Sequence, residues 1–385
     1  MPRLMHDRVT WLIYAQLGAW GFFLYGFGPV VPLLRDEQGT TAAIASLHST
    51  ALAAGGLLGA ATFPALAQRI GRGRTLWAGL AGVVASVLIL CAFRPLPATL
   101  TATMLASAFG TWVVCAVNTA LSDHHGPAAP AALSEANAAA AGVGVLAPIV
   151  VGLTVGAGLT WRPGLAVVIL LVALVTVASL IFRVRLPAGP ALSGGPPERT
   201  PLPRAYWIAW TLMAATASIE VCLSLWAADV LRTHAGMSPG AASATVASIV
   251  AGMFAGRLIG GRIALRVAPA PLLLGALAVS LAGFAIFWTS PVGWLAAAGL
   301  VVVGLGNALH YPLGVSMALA AAGDQPDRAV AYSSYSVAVG FGVAPLVLGW
   351  VADGIGPHMA FLLLPAFIAV AALLVARLRL LPATG

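Results

Sequence analysis

Charged residues are scarce in this chain of 385 residues. Only 8% of its positions are charged and 60% are hydrophobic, whereas a soluble domain carries about 25% charged residues. So few charges cannot cover a folded surface that faces water, so the sequence predicts an integral membrane protein that lies almost wholly in lipid. This composition excludes a disordered chain, a disulfide scaffold, a secreted enzyme and a nucleic-acid binder.

Lysine is absent, and there are only three cysteines. The basic residues are all arginines that stand between apolar runs, so the formal net charge of +8 does not indicate nucleic-acid binding. Cys91, Cys115 and Cys222 lie in apolar runs without metal-ligand or Cys-x-x-Cys spacing, and we expect small core residues there, with no metal or cofactor. The sequence also lacks His-Glu-x-x-His, Gly-x-Ser-x-Gly and ATP-binding motifs, so we do not expect an enzyme.

Long apolar runs divide the chain. A helix needs roughly 20 apolar residues to cross a bilayer, and the runs are continuous rather than alternating, which excludes a β-barrel. The first run is too long for a cleavable signal peptide. The sequence therefore predicts an all-α membrane protein with twelve spans, at about 9–34, 42–67, 75–93, 97–121, 130–158, 163–183, 204–232, 239–265, 270–288, 292–322, 327–352 and 357–379.

The arginines orient these spans. With both termini in the cytoplasm, only Arg35, Arg94, Arg162 and Arg232 of the nineteen basic residues fall on the outer side. Such an excess of inner arginines follows the positive-inside rule. We therefore predict a multi-pass protein of a bacterial-type cytoplasmic (inner) membrane with both termini cytoplasmic.

The chain has an internal repeat. Residues 184–203 are polar and rich in Pro and Gly, which predicts a cytoplasmic linker between a six-helix bundle at 1–183 and a second one at 204–385. One constant offset in residue number places Gly55 and Gly59 on Gly252 and Gly256, and Arg69 on Arg266. Two parallel pseudo-symmetric bundles are typical of transporters that work by alternating access.

With this layout, the chain resembles the major facilitator superfamily of secondary transporters. The loop after span two is similar to the family signature Gly-x-x-x-Asp-Arg-x-Gly-Arg-[Arg/Lys]: Arg69, Gly71 and Arg72 match, while Pro64 and Gln68 replace the usual glycine and aspartate. The resemblance implies a gating role for the three matching residues.

Two prolines complete the resemblance. Gly142-Val-Gly144-Val-Leu-Ala147-Pro148 in span five is similar to a glycine–proline motif of family exporters, and Pro345 is its counterpart in span eleven. The resemblance implies a conformational role for Pro148 and Pro345, although simple helix packing also explains the pair. Glu135, near the cytoplasmic end of span five, is expected to form either an inter-helix hydrogen bond or a gate.

Ionisable residues within the membrane are costly and are therefore functional candidates. Glu220 lies near the middle of span seven, where a neutral carboxyl group is favoured, and we predict a proton carrier there; the alternative is a protonated side chain bonded to a neighbouring helix. His310 and Asn307 share a face of span ten and are candidates for proton or substrate binding. A buried neutral histidine bonded to a carbonyl group is the alternative for His310.

Other polar and aromatic residues give weaker signals. Tyr25, Trp226 and Tyr335 are predicted to stack against a substrate. Asp229 is expected to reach water at the outer end of span seven. Residues 123–125, Asp-His-His, are expected in a solvated cytoplasmic loop rather than at a metal.

The centres of the spans lack arginine. Anionic substrates usually need a buried cation, so they are disfavoured unless Arg257 reaches the cavity. We therefore predict a secondary transporter, acting as a monomer, that moves a small neutral, cationic or amphipathic solute with protons, and export is favoured. The alternatives are a proton-coupled nutrient importer of the same fold, a channel and a membrane sensor.

Overall fold

The structure is a computed structural model that describes residues 6–183, 201–264, 266–322 and 326–380. Throughout these ranges the regular structure is helical, and twelve segments are long and apolar enough to cross a membrane. The predicted all-α membrane protein with twelve spans is therefore confirmed. Its helices are α1 (Arg8–Gln38), α2 (Ala42–Ile70), α3 (Arg72–Ala92), α4 (Leu96–His125), α5 (Ala129–Gly156), α6 (Trp161–Ile181), α7 (Arg204–Thr233), α8 (Pro239–Thr245), α9 (Ala247–Ala264), α10 (Pro269–Thr289), α11 (Gly293–Asn307), α12 (His310–Ala321), α13 (Pro326–Ile355), α14 (Pro357–Ala360) and α15 (Leu363–Leu380).

Three of the spans consist of two helices each, namely α8 with α9, α11 with α12, and α14 with α15. The predicted run at 292–322 is thus broken at Ala308 and Leu309. Pro312 explains this break, because proline has no N–H group to donate to the carbonyl group four residues earlier, which belongs to Ala308. The chain turns more tightly there, and the N–H group of Leu309 donates to the carbonyl group of Gly306 at 3.3 Å.

The helix ends follow local chemistry. Gly71 separates α2 from α3 at φ +85°, a conformation that residues with a Cβ atom seldom adopt. Thr160 and Ser238 accept hydrogen bonds from backbone N–H groups in the first turns of α6 and α8, as N-cap residues do. These signals fix where the spans begin, and hence which side chains lie at mid-membrane depth.

The chain forms two compact units. The first includes the described residues of 6–27 and 51–183, and the second includes 28–50 together with those from 201 onward. Both α1 and α2 therefore contribute to both units. The predicted division into 1–183, 184–203 and 204–385 stays a prediction, since 184–200 of the linker lies outside the described residues.

The internal repeat is visible in the packing of each unit. Gly55 lies so close to Met104 that an added Cβ atom would overlap the carbonyl oxygen of Met104. In the second unit, a Cβ atom on Gly252 would overlap the carbonyl oxygen of Val301 in the same way. The offset in residue number that relates the two glycines also relates their two partners.

The second glycine pair behaves alike. Gly59 faces the carbonyl oxygen of Ala108, and Gly256 faces that of Leu305. The partners are again related by the offset that relates the glycines. Since both pairs of close approaches recur at one offset, the pseudo-symmetry of the two bundles is confirmed.

Candidate transport site

The position of Glu220 depends on how α7 is packed. An apolar cluster holds its N-terminal half, where Tyr206 and Met213 pack against Ala318 and Ala329 of α12 and α13. The Tyr206 hydroxyl group donates to the carbonyl oxygen of Ala329 at 2.8 Å. Because these contacts fix the rotation of α7 about its axis, they also fix the direction in which Glu220 points.

Glu220 lies just past the middle of α7 and is only half-buried. The half-buried Arg257 of α9 acts electrostatically on its carboxyl group. From the sequence, anionic substrates are disfavoured unless Arg257 reaches the cavity. The guanidinium group acts electrostatically on Glu220, so a positive charge is present near this carboxyl group.

A third polar group, the phenol of Tyr311 on α12, lies within the electrostatic reach of Glu220. Its side chain is 54% exposed, whereas that of Glu220 is half-buried. Tyr311 is not among the candidate binding residues predicted from the sequence, although its position could have indicated it. Residue 311 is a polar aromatic residue directly after the break at Ala308 and Leu309, and it is exposed although the neighbouring His310 is buried.

His310 and Asn307 do not join this group. Both are buried in the packing of the second unit, at 1% exposure. His310 lies 3.3 Å from the hydroxyl group of Ser280 and is hydrogen-bonded to the backbone of Ala276, while the Asn307 amide nitrogen lies 3.8 Å from the sulfur of Met253. This arrangement matches the alternative of a buried histidine bonded to a carbonyl group.

Trp226 has no exposed surface, and the Arg35 guanidinium group lies over its ring at 5.6 Å. A substrate therefore has no access to this ring in the structure. Tyr335 is accessible and lies near Tyr332, with ring centroids 6.0 Å apart. Tyr25 lies in the first unit with its ring against Gly144 of α5.

Asp229 does not reach water, contrary to expectation. It is 1% exposed, and its two carboxylate oxygens accept from both terminal nitrogens of Arg35 at 2.6 and 3.0 Å. Arg232 pairs with the neighbouring Asp36 at 2.7 Å. The C-terminal ends of α1 and α7 are thus joined by a bidentate ion pair.

Pro345 lies where α2 is attached to α13. Because Pro345 has no N–H group, the carbonyl group of Phe341 loses its helical partner. The Ser49 hydroxyl group donates to that oxygen at 2.6 Å, and Thr50 donates to the carbonyl oxygen of Gly342 at 2.7 Å. Serine and threonine hydroxyl groups commonly satisfy backbone groups that a proline frees within a membrane.

The start of α2 is attached to α13 as well. The carboxylate group of Asp353 accepts from the backbone N–H groups of Ala42 and Ala43 at 2.7 and 3.0 Å. These N–H groups belong to the first turn of α2, where no helical carbonyl group is available to them. Asp353 therefore caps α2 from another helix.

The predicted gating residues other than Pro345 lie in the first unit. Arg72 forms an ion pair with Asp123, and Arg69 is exposed. Glu135 lies 2.7 Å from the His6 ring and accepts from the Tyr14 hydroxyl group at 3.3 Å. Glu135 thus links α5 to the start of α1, as the hydrogen-bond alternative predicts.

Residues 123–125 are not a solvated loop. They are the last residues of α4, where His124 pairs with Asp7 at 2.7 Å and His125 lies 3.0 Å from the Thr10 hydroxyl group. Burial opposes ionisation of Asp7, but hydrogen bonds from Thr10 and the pairing with His124 outweigh it and lower its pKa to about 2. Within the described ranges no set of three or more His, Cys, Asp or Glu residues is arranged to hold a metal ion.

Comparisons with known proteins agree with this fold. A family model described as the Major Facilitator Superfamily matches residues 15–326 and 213–385, and no curated protein matches by sequence. Among solved structures, the chain is similar to a D-xylose-proton symporter, with 13% identity and a TM-score of 0.75 over 98% of each chain. It is also similar to the peptide transporter POT in complex with sulfate (16% identity, TM-score 0.72, 98% of this chain and 95% of that one). A third similar structure is that of the human organic anion transporter MFSD10 (TETRAN), with 16% identity and a TM-score of 0.67 over 97% of this chain and 100% of that one. At these identities the likeness shows the fold alone.

Proposed function

Because this chain belongs to the Major Facilitator Superfamily, we propose that it carries a small neutral or amphipathic solute across a bacterial-type inner membrane by alternating access, coupled to protons at Glu220. One observation carries the proposal. A half-buried carboxyl group midway along a span lies within the electrostatic reach of an arginine and of an exposed tyrosine. Ionisable groups at this depth are rare and mark solute or proton pathways.

The charges of the site favour a neutral solute. When Glu220 is ionised, the carboxylate and the Arg257 guanidinium group together carry no net charge, so neither a cation nor an anion gains a large attraction. The carboxylate offers acceptors, the guanidinium group offers donors, and the phenol of Tyr311 offers both. A solute with hydroxyl or amide groups, or a zwitterion, can satisfy all three.

The coupling step is a competition at Glu220. The ionised carboxylate holds Arg257 by charge and accepts hydrogen bonds from the solute. A proton on Glu220 removes that charge and part of its acceptor capacity, so the solute is released as the proton binds. Proton entry thus drives solute exit, as in an exporter.

The direction of transport is proposed from a motif in α5. The motif at Pro148 resembles that of family exporters, and this favours antiport. Import by symport uses the same residues, but the proton and the solute then bind together. The two mechanisms differ in whether acidification weakens or strengthens solute binding.

Motion of α13 is proposed to accompany the cycle. Pro345 removes one helical hydrogen bond and leaves the α13 backbone dependent on Ser49 of α2. An exchangeable side-chain contact is easier to break than a helical bond, so the gating role of Pro345 follows from its missing N–H group. Every group used here belongs to one chain, so a monomer suffices.

The Glu220→Gln variant tests the proposal. Thermal-shift screening of a solute library at two pH values first identifies a stabilising solute. In liposomes, the variant is then expected to lose proton-driven movement of that solute and to keep counterflow, because exchange through one alternately exposed site needs no proton. Glu220→Asp, which keeps a carboxyl group, should retain part of the proton-driven rate.

Full gradient-driven accumulation in Glu220→Gln contradicts coupling at Glu220. Absence of counterflow in the wild-type protein contradicts the carrier mechanism and favours a channel or a sensor. Solute binding that strengthens on acidification replaces antiport with symport.

A further inference from the structure

The start of α1 and the end of α6 enclose a groove in the first unit, far along the chain from Glu220. Its volume is about 350 Å³, which lies within the range of small-molecule sites. It is lined by Arg8, Trp11, Leu12, Ala15, Leu174, Val175, Ala178 and Phe182.

The groove has one charged end and an otherwise apolar wall. On α1, residues 8, 11 and 15 form a stripe at helical spacing, and all three are exposed. On α6 the facing stripe is formed by Leu174, Ala178 and then Phe182 just beyond the helix end. Since both helices span the membrane, the exposed stripes meet lipid rather than water.

Arg8 marks the predicted cytoplasmic end of the groove. Its guanidinium group lies 5.7 Å from the centroid of the Phe182 ring, and among the described residues no carboxylate pairs with it. Trp11, one turn into the membrane, is 59% exposed, and tryptophan prefers this headgroup depth.

A cation at headgroup depth above an apolar groove complements a phospholipid. The negatively charged phosphate of the headgroup lies beside Arg8, and one acyl chain runs between the two apolar stripes. Basic pockets between spans on the cytoplasmic side bind anionic lipid headgroups in this way. We propose that the α1–α6 groove is a binding site for one anionic phospholipid, held by Arg8 and lined by Trp11, Ala178 and Phe182.

Native mass spectrometry of the purified protein tests this proposal. The protein in detergent is titrated with dioleoyl phosphatidylglycerol, which carries a net charge, and with the zwitterionic dioleoyl phosphatidylcholine. We expect the wild-type protein to bind one phosphatidylglycerol that phosphatidylcholine does not displace. Arg8→Gln should lower its affinity about fivefold, the amount expected for one arginine near an anionic surface, while Arg8→Lys should largely keep it.

Arg204→Gln is the matched control. Arg204 is exposed and begins α7 as Arg8 begins α1, yet it does not line the groove, so its loss should leave the bound lipid in place. Ala178→Phe fills the groove and should remove the lipid although Arg8 is intact. If Ala178→Phe does not elute as a folded protein, Ala15→Phe on the opposite wall serves the same purpose.

Equal phosphatidylglycerol binding by wild-type and Arg8→Gln proteins overturns the proposal. So does equal competition by phosphatidylcholine, or a bound lipid that survives filling of the groove. None of these outcomes bears on proton coupling at Glu220.

Discussion

Asp229 and Arg35 are the residues for which burial matters most to stability. The carboxylate has almost no contact with water, and both prongs of the guanidinium group bond to it. Removal of one partner from such a pair leaves an uncompensated charge, which costs more than the intact pair contributes.

We expect Asp229→Asn to lower the free energy of unfolding by about 3 kcal/mol, the low end for a broken buried pair, because Arg35 keeps some exposure and the contact with Asp36. Thermal unfolding in detergent measures the change. Asp36→Asn is the control, since that carboxylate is 40% exposed and its pairs should contribute under about 1 kcal/mol. Equal losses in the two variants refute the argument from burial, whereas recovery in Arg35→Asp/Asp229→Arg supports it.

For Glu220 and Asp229, the sequence predicts the position along the span but not the tertiary neighbours. The depth of Glu220 could be predicted, because it depends only on the distance to the ends of an apolar run. The electrostatic neighbour of Glu220 could not be predicted, because the position of Arg257 relative to α7 depends on the tertiary fold, which no spacing encodes. The burial of Asp229 was missed for the same reason, since its partner lies 194 residues away.

Among the helices, α13 shows how a proline alters a membrane span. The carbonyl group of Phe341 has no N–H donor within its own helix, and Ser49 supplies one from α2. The oxygen of Gly342 differs, because the N–H group of Leu346 is available to it in the continuous helix.

Ser49→Ala is therefore expected to destabilise the protein by about 1–3 kcal/mol, the cost of a buried unsatisfied carbonyl group. In a Pro345→Ala background the restored N–H group satisfies Phe341, and the same substitution should cost less than half as much. Melting temperatures of the two single variants and the double variant give this coupling. Thr50→Val is the control, because its carbonyl partner keeps a helical bond. Equal costs of Ser49→Ala in both backgrounds count against the assignment.

Span ten is interrupted between α11 and α12, and this break could not be predicted from hydropathy. Hydropathy predicted one run, because the residues on both sides of the break are apolar. The cause of the break, Pro312, stands in the sequence, but proline also occurs within the unbroken helices α5 and α13. A proline in the sequence therefore predicts a missing helical hydrogen bond, but not whether the helix breaks there.

At the scale of the whole molecule, the internal repeat places equivalent helix contacts in both units. Each unit contains a glycine pair on one helix pressed against backbone carbonyl groups of another, and a single offset in residue number relates the two sets. Hydropathy and this offset were enough to predict the twelve spans and the pseudo-symmetry, because both signals recur along the whole chain.

Equivalent substitutions in the two units are expected to have similar effects. Gly55→Ala and Gly252→Ala each force a Cβ atom into a backbone carbonyl oxygen, and overpacking of this kind costs about 1–3 kcal/mol. Gly56→Ala, whose nearest contacts lie at 3.6 Å, and Gly275→Ala, with nothing within 4 Å, should not lower the melting temperature. A loss confined to one of the two tight glycines contradicts equivalent packing.

Because Asp353 caps α2 from α13, hydrogen exchange at the start of α2 reports on the contact between the two helices. The amide hydrogens of Ala42 and Ala43 are shielded by a carboxylate from a residue about 310 positions later in the chain, and not by their own helix. If α13 draws away from α2, deuterium from the solvent will replace these two hydrogens sooner than those deeper in the helix. The isotope content of one short peptide around position 42 therefore records how often that separation occurs, with no label attached to the protein.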